Sequence, residues 1–203
     1  MRSDSKKQQT RALSEWPHRF GEIRHQLGDK TIVVPGVSSE RRENLPVDLL
    51  PGNTIVSNLA FALYDAPLWN MALIASRMHL IWISTVCGRM KNDIRYSNTL
   101  GWNTFPLLPL TEKNKVDLSK CAEDILLARE THFPKTIADL YDPDKMPKNL
   151  REAHERNDEV LERIYIGRRF KNDTERLEKL FELYTKMTEA EKKPTKPRKK
   201  AKS

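Results

Sequence analysis

With 203 residues, the chain is long enough for one medium-sized domain or two small ones. Its 38% hydrophobic residues can support a core, whereas its 32% charged residues place much of the chain at the surface. The formal charge of +8 is weak evidence for a nucleic-acid partner, because residues 31–191 carry 22 basic and 24 acidic side chains. Cys87 and Cys121 lack the spacing of a zinc site and are expected to be reduced thiols in the cytoplasm.

The first half of the chain contains strand signals followed by one very apolar segment. Residues 31–34 are a β-branched run stopped by a Pro-Gly pair, and residues 54–64 alternate in polarity after a turn signal. Apolar residues then recur at helical spacing over residues 68–82, with Asp65 as a candidate cap. Because Arg77 interrupts this segment, we predict one buried core helix, no membrane span and no membrane partner.

The second half indicates only helices. Residues 88–109 are rich in Asn, Gly and Pro and predict loop and short strand, and the composition changes after Pro109. Three helices are predicted: one through Leu118–Ala128, one from Pro147 to Ile164, and one capped by Asp173. The predicted fold is therefore α+β. A small mixed α/β domain (residues 1–109) precedes an all-α domain (residues 110–190) and a disordered Lys-rich tail (residues 191–203).

Catalytic motifs are missing from the sequence. None of the seven glycines forms a GxG loop that approaches an adenosyl cofactor. Residues 142–145 (DPDK) lack the second Pro and the aromatic ring of the loop that grips a flipped base. The histidines show no metal-ligand spacing; we expect His79 to be a hydrogen-bonded core residue and His154 a structural hydrogen-bonding partner. We predict no catalytic residue and no metal site, and leave open whether the chain counts as an enzyme.

Three strings of residues together resemble one protein family. The first is Val37–Glu43 (VSSERRE); the second is Gly88–Ser97 (GRMKNDIRYS), which leads into WNTFP; the third begins with LYDP at Leu140 and ends near Tyr165. In this order they are similar to the C-terminal half of the MmeI-like type IIL restriction–modification enzymes, over about residues 16–187. One departure is Leu107, where the family tends to have Trp after Phe-Pro.

The resemblance implies a part of an adenine-specific DNA methyltransferase. Such enzymes join a nuclease, an adenine-N6 methyltransferase, a target-recognition domain and a helical C-terminal domain. Residues 1–109 would then be part of a target-recognition domain whose partner is double-stranded DNA. S-adenosylmethionine would act in a segment outside this chain, and the chain itself is expected to hold no cofactor. Two origins stay open: a fragment of a longer enzyme, or a separate specificity subunit that docks on a methyltransferase chain.

The resemblance also implies how DNA contacts are divided between bases and backbone. Lys91, Asp93 and Arg95 are the predicted base-reading residues, and on an extended segment all three would project to one side. The alternative is a solvated turn with an intrachain Lys–Asp pair. The predicted contacts to the DNA backbone are Ser38, Ser39, Arg41, Arg42, Arg89, Tyr96 and Ser97. For the first of these strings the alternative is a structural pair between Glu40 and Arg42.

A different class of function also fits part of the sequence. Seven Lys and Arg residues follow Glu191 without any acidic residue, and such a tail binds phosphates without sequence preference. The alternative function is therefore a stand-alone basic, helical nucleic-acid-binding or scaffold protein. Arginines at 151, 156 and 163 lie among glutamates at 152, 155, 159 and 162, which predicts an ordinary salt-bridged helix surface.

Overall fold

The computed structural model describes residues 2–16, 18 and 28–192, which form two small sheets and a set of packed helices. The strands are β1 (Lys30–Pro35), β2 (Val37–Ser38), β3 (Asp48–Pro51), β4 (Ala60–Tyr64), β5 (Arg89–Met90) and β6 (Asp93–Arg95). The helices are α1 (Gln8–Ala12), α2 (Trp69–Ile74), α3 (Arg77–Val86), α4 (Glu112–Glu130), α5 (Ile137–Leu140), α6 (Lys148–Ile166) and α7 (Asp173–Lys192). A 3-10 turn covers Arg2–Asp4 and a π-helical turn covers Asn98–Trp102. The predicted α+β class is confirmed.

The first sheet has the antiparallel strand order β3-β1-β4. The β-branched run predicted as a strand forms its central strand, in which Ile32 and Val34 are completely buried. The second predicted strand is shorter than expected, because only its last five residues pair with β1. Leu59, assigned to the apolar side of that strand, lies before it and is 79% exposed.

The apolar segment forms two helices, α2 and α3, so the prediction of one continuous helix is wrong. The chain leaves the helix at Ser76, whose hydroxyl accepts a hydrogen bond from the His79 N–H (3.2 Å) and donates one to the Leu73 carbonyl (2.6 Å). Serine competes with helical hydrogen bonds in this way and caps the second helix instead. Asp65 is not a cap, since its carboxylate accepts the Asp29 N–H at 2.9 Å. The predicted burial of the segment is confirmed.

The three predicted C-terminal helices are present as α4, α6 and α7. The cap of α7 is Asn172, whose side-chain oxygen accepts the Glu175 N–H at 2.9 Å, and not Asp173. Helix α7 continues to Lys192, so the first two residues of the predicted tail are helical. The other tail residues, 193–203, lie outside the described residues. No helix within residues 2–16 and 28–192 is both long and apolar enough to cross a membrane.

One buried core connects the sheets with the C-terminal helices. Leu118 of α4, Leu161 of α6 and Leu180 of α7 are completely buried together with residues of α2, α3 and β1. Helix α7 packs on α3, where the Trp82 ring lies 5.2 Å from that of Phe181. The division at residue 109 stays a prediction about the sequence, because the described core continues across it.

Glu162 of α6 corrects the prediction of an all-surface row of glutamates. Its side chain is completely buried and accepts the Phe170 N–H at 2.9 Å and the Arg176 Nε–H at 2.7 Å. The nearby pair of Arg163 with Glu159 lies one turn apart at the surface, as predicted (2.6 Å). A buried carboxylate needs partners of this kind because an unpaired charge is costly to remove from water.

Candidate nucleic-acid interface

The second sheet presents a short hairpin on the surface. Its strand order is β2-β6-β5, and β5 joins β6 through a two-residue turn of Lys91 and Asn92. Lys91 has φ +57°, a left-handed conformation that glycine or asparagine usually adopts. For other residues this region costs about 1–2 kcal/mol. Strained residues of this kind occur preferentially at functional sites.

The hairpin has one inner and one outer face. The inner face carries Ile94 and Ser38, which are paired across the strands and are 4% and 2% exposed. Because directly paired residues share a face and alternate residues share a side, the outer face carries Asp93, Arg95 and their partners. Asp93 is paired with a residue of β5 and Arg95 with one of β2. The outer side of β6 is therefore a polar strip, on which Arg95 is exposed and Asp93 is partly exposed.

The three predicted base-reading residues come together in part. Asp93 and Arg95 lie on one face of β6, as predicted, but Lys91 lies in the turn, so the single extended segment is wrong for it. Lys91 projects at the tip of the hairpin and is exposed. Within the described part of the chain no ion pair joins Lys91 to Asp93, and Arg95 has no ion-pair partner. Of the alternative, the solvated turn is present, whereas its Lys–Asp ion pair is not formed among the described residues.

Buried aromatic contacts hold the hairpin on helix α3. The Tyr96 hydroxyl lies 3.1 Å from His79 Nε2. The backbone N–H of Tyr96 donates to the Gly36 carbonyl at 3.0 Å. The His79 ring also packs on the Phe105 ring, with centroids 5.0 Å apart. His79 is completely buried, which confirms it as a hydrogen-bonded core residue. Burial lowers its pKa to about 3 and raises the pKa of Tyr96.

Several predicted backbone-contacting residues have structural roles instead. Ser38 and Tyr96 are 2% and 6% exposed, so their side chains are buried, and their contact to DNA stays a prediction. The Ser97 hydroxyl accepts the Leu100 N–H at 3.3 Å and caps the π-helical turn. The Ser39 hydroxyl accepts the Arg41 N–H at 3.3 Å, which stabilises the turn after β2. No local pattern distinguishes a capping serine from a phosphate-binding one.

The charged residues after β2 connect the hairpin to the C-terminal helices. Arg41 forms an exposed ion pair with Asp144 at 2.6 Å, and Glu43 pairs with Arg151 of α6. Glu40 pairs with Arg89 at 3.6 Å, so the Glu40–Arg42 pair given as the alternative is not formed among the described residues. The Arg89 guanidinium also donates to the Asn92 carbonyl at 2.7 Å and supports the turn of the hairpin. Sequence reasoning missed these pairs because two of the partners are more than one hundred residues away.

A buried polar chain joins β3, α4 and α6 behind this surface. Arg129 is 6% exposed; it donates to the Tyr141 hydroxyl (2.9 Å) and to the Asp48 carboxylate (3.3 Å). The same hydroxyl lies 2.8 Å from His154 Nε2. His154 is thus a structural hydrogen-bonding residue as predicted, with Tyr141 as its partner. Burial, followed by the nearby Arg129 charge, lowers its pKa to about 3.

The two buried histidines predict a specific loss of stability in acid. Their pKa values of about 3 lie below the ordinary 6.5, so the unfolded chain binds more protons between pH 6.5 and 3. Stability is then present above pH 6.5 and falls as the pH decreases, by about 1.4 kcal/mol per pH unit for each histidine. We expect His154→Gln to lower the stability at pH 7 but to flatten this slope in urea unfolding. An identical slope in variant and wild type would contradict the assignment.

The described ranges hold no cluster of metal ligands, and two of their glycines are enclosed by the chain itself. No three His, Cys, Asp or Glu side chains in the described ranges lie together as metal ligands. At Gly36 and Gly52 the lack of a side chain allows another backbone segment of the same chain to pack closely. A Cβ on Gly36 would lie 2.6 Å from the Leu59 carbonyl oxygen, and one on Gly52 would lie 1.8 Å from that of Gly28. These glycines therefore offer no open loop for a cofactor phosphate or ribose.

The architecture corresponds to two known domain families along the whole described chain. Residues 1–109 match the family described as MmeI, target recognition domain, and residues 110–190 match MmeI, C-terminal domain. The protein is thus a target-recognition domain joined to a helical C-terminal domain. It belongs to the MmeI family, which confirms the resemblance inferred from the three strings.

Two relatives extend this comparison. The chain is 42% identical over 180 residues to DNA methyltransferase A of Bacillus subtilis (strain 168), which covers 89% of this chain and 20% of that protein. The solved structure of the type IIL restriction–modification enzyme MmeI in complex with DNA superimposes with a TM-score of 0.86 at 32% identity. That match covers 93% of this chain and 25% of the MmeI chain. The chain therefore spans a fifth to a quarter of these relatives.

Proposed function

We propose that the chain binds double-stranded DNA and reads its sequence with the β5–β6 hairpin, for a site-specific adenine-N6 methyltransferase of a restriction–modification system. The observation that carries this proposal is the exposed hairpin, on which Lys91, Asp93 and Arg95 form no ion pair with a described residue. Free polar groups on a rigid support are what base edges require. The relative solved in complex with DNA has the same fold.

The β5–β6 hairpin is the part of the three-stranded second sheet that we propose enters the major groove. The groove is about 12 Å wide and admits a two-stranded ribbon. The ammonium group of Lys91 would donate to guanine O6 and N7, and the Asp93 carboxylate would accept from the N4 amine of the paired cytosine. Arg95 lies two residues along β6, which is about 6.6 Å at 3.3 Å per residue. It would reach a base pair about two steps away, since successive base pairs are about 3.4 Å apart.

Arg41 and Arg42 are the proposed contacts to DNA phosphates. Both lie in the segment after β2, beyond Ser39 and Glu40, and the Arg41 side chain is 66% exposed. Its ion pair with Asp144 is also exposed, and such pairs contribute only about 0–1 kcal/mol. A phosphate can therefore replace the carboxylate at little cost and accept two hydrogen bonds from the guanidinium group. Arg89 would act through the shape of the hairpin, because it already binds Asn92 and Glu40.

Methyl transfer is assigned to residues outside this chain. The sequence contains no GxG loop, and Gly36 and Gly52 are enclosed by the backbone of the chain itself. The cofactor would belong to a methyltransferase region, either in the same polypeptide or in a separate chain. A cytoplasmic location, where free thiols such as Cys87 and Cys121 persist, agrees with this role.

Selection from a random duplex library tests the proposal against the non-specific alternative. We expect the whole chain and a variant lacking residues 192–203 to enrich the same sequence. Removal of the tail, with its seven basic residues, should lower affinity for every duplex and weaken its salt dependence, because fewer counterions are released. Enrichment of no sequence, or loss of all binding without the tail, would favour a basic protein without sequence preference.

A further inference from the structure

The polar strip of the hairpin is flanked by two exposed apolar side chains. Strand β6 is central in its sheet, with Asp93 and Arg95 on its outer side. Met90 of β5 is paired with Asp93, and Val37 of β2 is paired with Arg95. Their exposures are 50% for Met90 and 38% for Val37. One apolar residue therefore lies on each side of the proposed base-reading strip and on the same face.

We propose that Met90 contacts the C5-methyl group of a thymine next to the G·C pair assigned to Lys91 and Asp93. This inference rests on the proposed function and extends it to a second feature of the DNA. The thymine methyl group is the apolar group that the major-groove edge of a base pair presents. A methionine side chain is flexible and polarizable, and so it adapts to such a contact.

The pairing register places Met90 at the required distance. The Cβ atoms of directly paired residues lie about 4.5–5.5 Å apart across antiparallel strands. Neighbouring base pairs are about 3.4 Å apart along the helix axis. With β6 running along the DNA axis, Met90 lies beside Asp93 at the level of the same base pair. Its flexible side chain then has to extend by one step, about 3.4 Å, to reach the methyl group of a neighbouring thymine. Val37 is shorter and rigid at χ1, so it is the weaker candidate for a contact at this depth.

A single exposed methionine is common on protein surfaces and has no meaning alone. Two facts give Met90 a specific meaning. It is paired in register with Asp93, and it borders a turn in which Lys91 has a positive φ. Met187, on helix α7, is also exposed (38%) but lies on a different part of the described chain. It provides a matched control of the same residue type.

The test replaces thymine by deoxyuridine, which removes only the methyl group. Duplexes of the enriched sequence, each with one such replacement, are titrated with wild type, Met90→Ala and Met187→Ala. We expect wild type and Met187→Ala to bind about four-fold more weakly when the methyl is removed at one position, the value of one buried methyl-sized group. That position should adjoin the base pair whose preference changes when Lys91 and Asp93 are exchanged. Met90→Ala should bind both duplexes equally.

The outcomes separate this inference from the proposed function. If wild type enriches a sequence but binds thymine and deoxyuridine duplexes equally at every position, the Met90 contact is refuted and DNA reading stands. If Met90→Ala keeps the full preference, another residue contacts the methyl group and the inference is again refuted. If no sequence is enriched, the proposed function fails and the inference fails with it. Thermal unfolding of Met90→Ala should match wild type, because the side chain is half exposed.

Discussion

The double variant Lys91→Glu, Asp93→Arg is expected to change the preferred base pair at one position, from G·C to C·G. The introduced glutamate would accept from a cytosine amine and the introduced arginine would donate to guanine, so the donor and the acceptor exchange places along the hairpin. Each such contact is worth about 1–3 kcal/mol of discrimination. The measurement is library selection with wild type and variant, followed by titration of the two enriched duplexes. The same exchange in a complete enzyme should change the DNA sequence that it recognises and methylates, at that one base pair.

The variant Lys91→Gly distinguishes the role of the Lys91 side chain from that of its backbone conformation. Lys91→Gly removes the ammonium group but relieves the strain at φ +57°. The free energy of unfolding should therefore be equal to that of wild type or higher by up to about 1 kcal/mol. Preference for the G·C pair should still weaken by the contribution of the guanine contact, about 1–3 kcal/mol, while Asp93 keeps its contact to cytosine. If the exchanged variant enriches the wild-type sequence with unchanged affinity, Lys91 and Asp93 do not read bases.

The second large expected effect is on stability, at the buried carboxylate of α6. Glu162→Ala removes the acceptor for Arg176, whose side chain is only 12% exposed, and for the Phe170 N–H. Breaking a buried ion pair from one side typically costs about 3–5 kcal/mol. Arg176 keeps its ion pair with Asp173 at 2.9 Å, so we expect the lower end of this range. We expect a corresponding decrease in the free energy of unfolding, measured with urea.

Glu159 provides the matched control for this substitution. It lies one turn earlier on α6, where it forms a surface pair with Arg163 at 2.6 Å. Glu159→Ala should change stability by about 0–1 kcal/mol. Glu162→Gln, which keeps an acceptor for the Phe170 N–H but loses the charge, should lie between the two. Equal effects of Glu159→Ala and Glu162→Ala would show that the α6–α7 contact does not depend on the buried pair.

Short-range sequence patterns predicted the central strand and the C-terminal helices. The β-branched run became the central strand β1, and the apolar spacing of α4 and α6 matched their buried faces. The same spacing failed at Ser76, where two short-range hydrogen bonds end one helix and start another. It also failed for Glu162, since a charged residue at a solvent-facing interval was buried by a partner from the next helix.

For the candidate site, too, the sequence identified residues but not their positions in the fold. The resemblance identified the hairpin residues Lys91, Asp93 and Arg95 by position alone. It did not show that Lys91 lies in the turn or that Ser38 and Tyr96 are buried. In a strand of two residues, a one-residue difference in register moves a side chain from solvent to core. The register of β2 is set by its pairing with β6, and it cannot be read from the order of residues in β2 alone.

The sequence alone determined the α+β class, the family and the lack of a recognisable catalytic motif, because these follow from composition, periodicity and short strings of residues. The tertiary structure alone decided which groups meet. Arg41 pairs with Asp144, Arg129 binds Tyr141, and Met90 lies beside Asp93. Contacts of this kind join separate elements or adjoin a tight turn. Their free energy depends on the packing of the whole core, which no local pattern encodes.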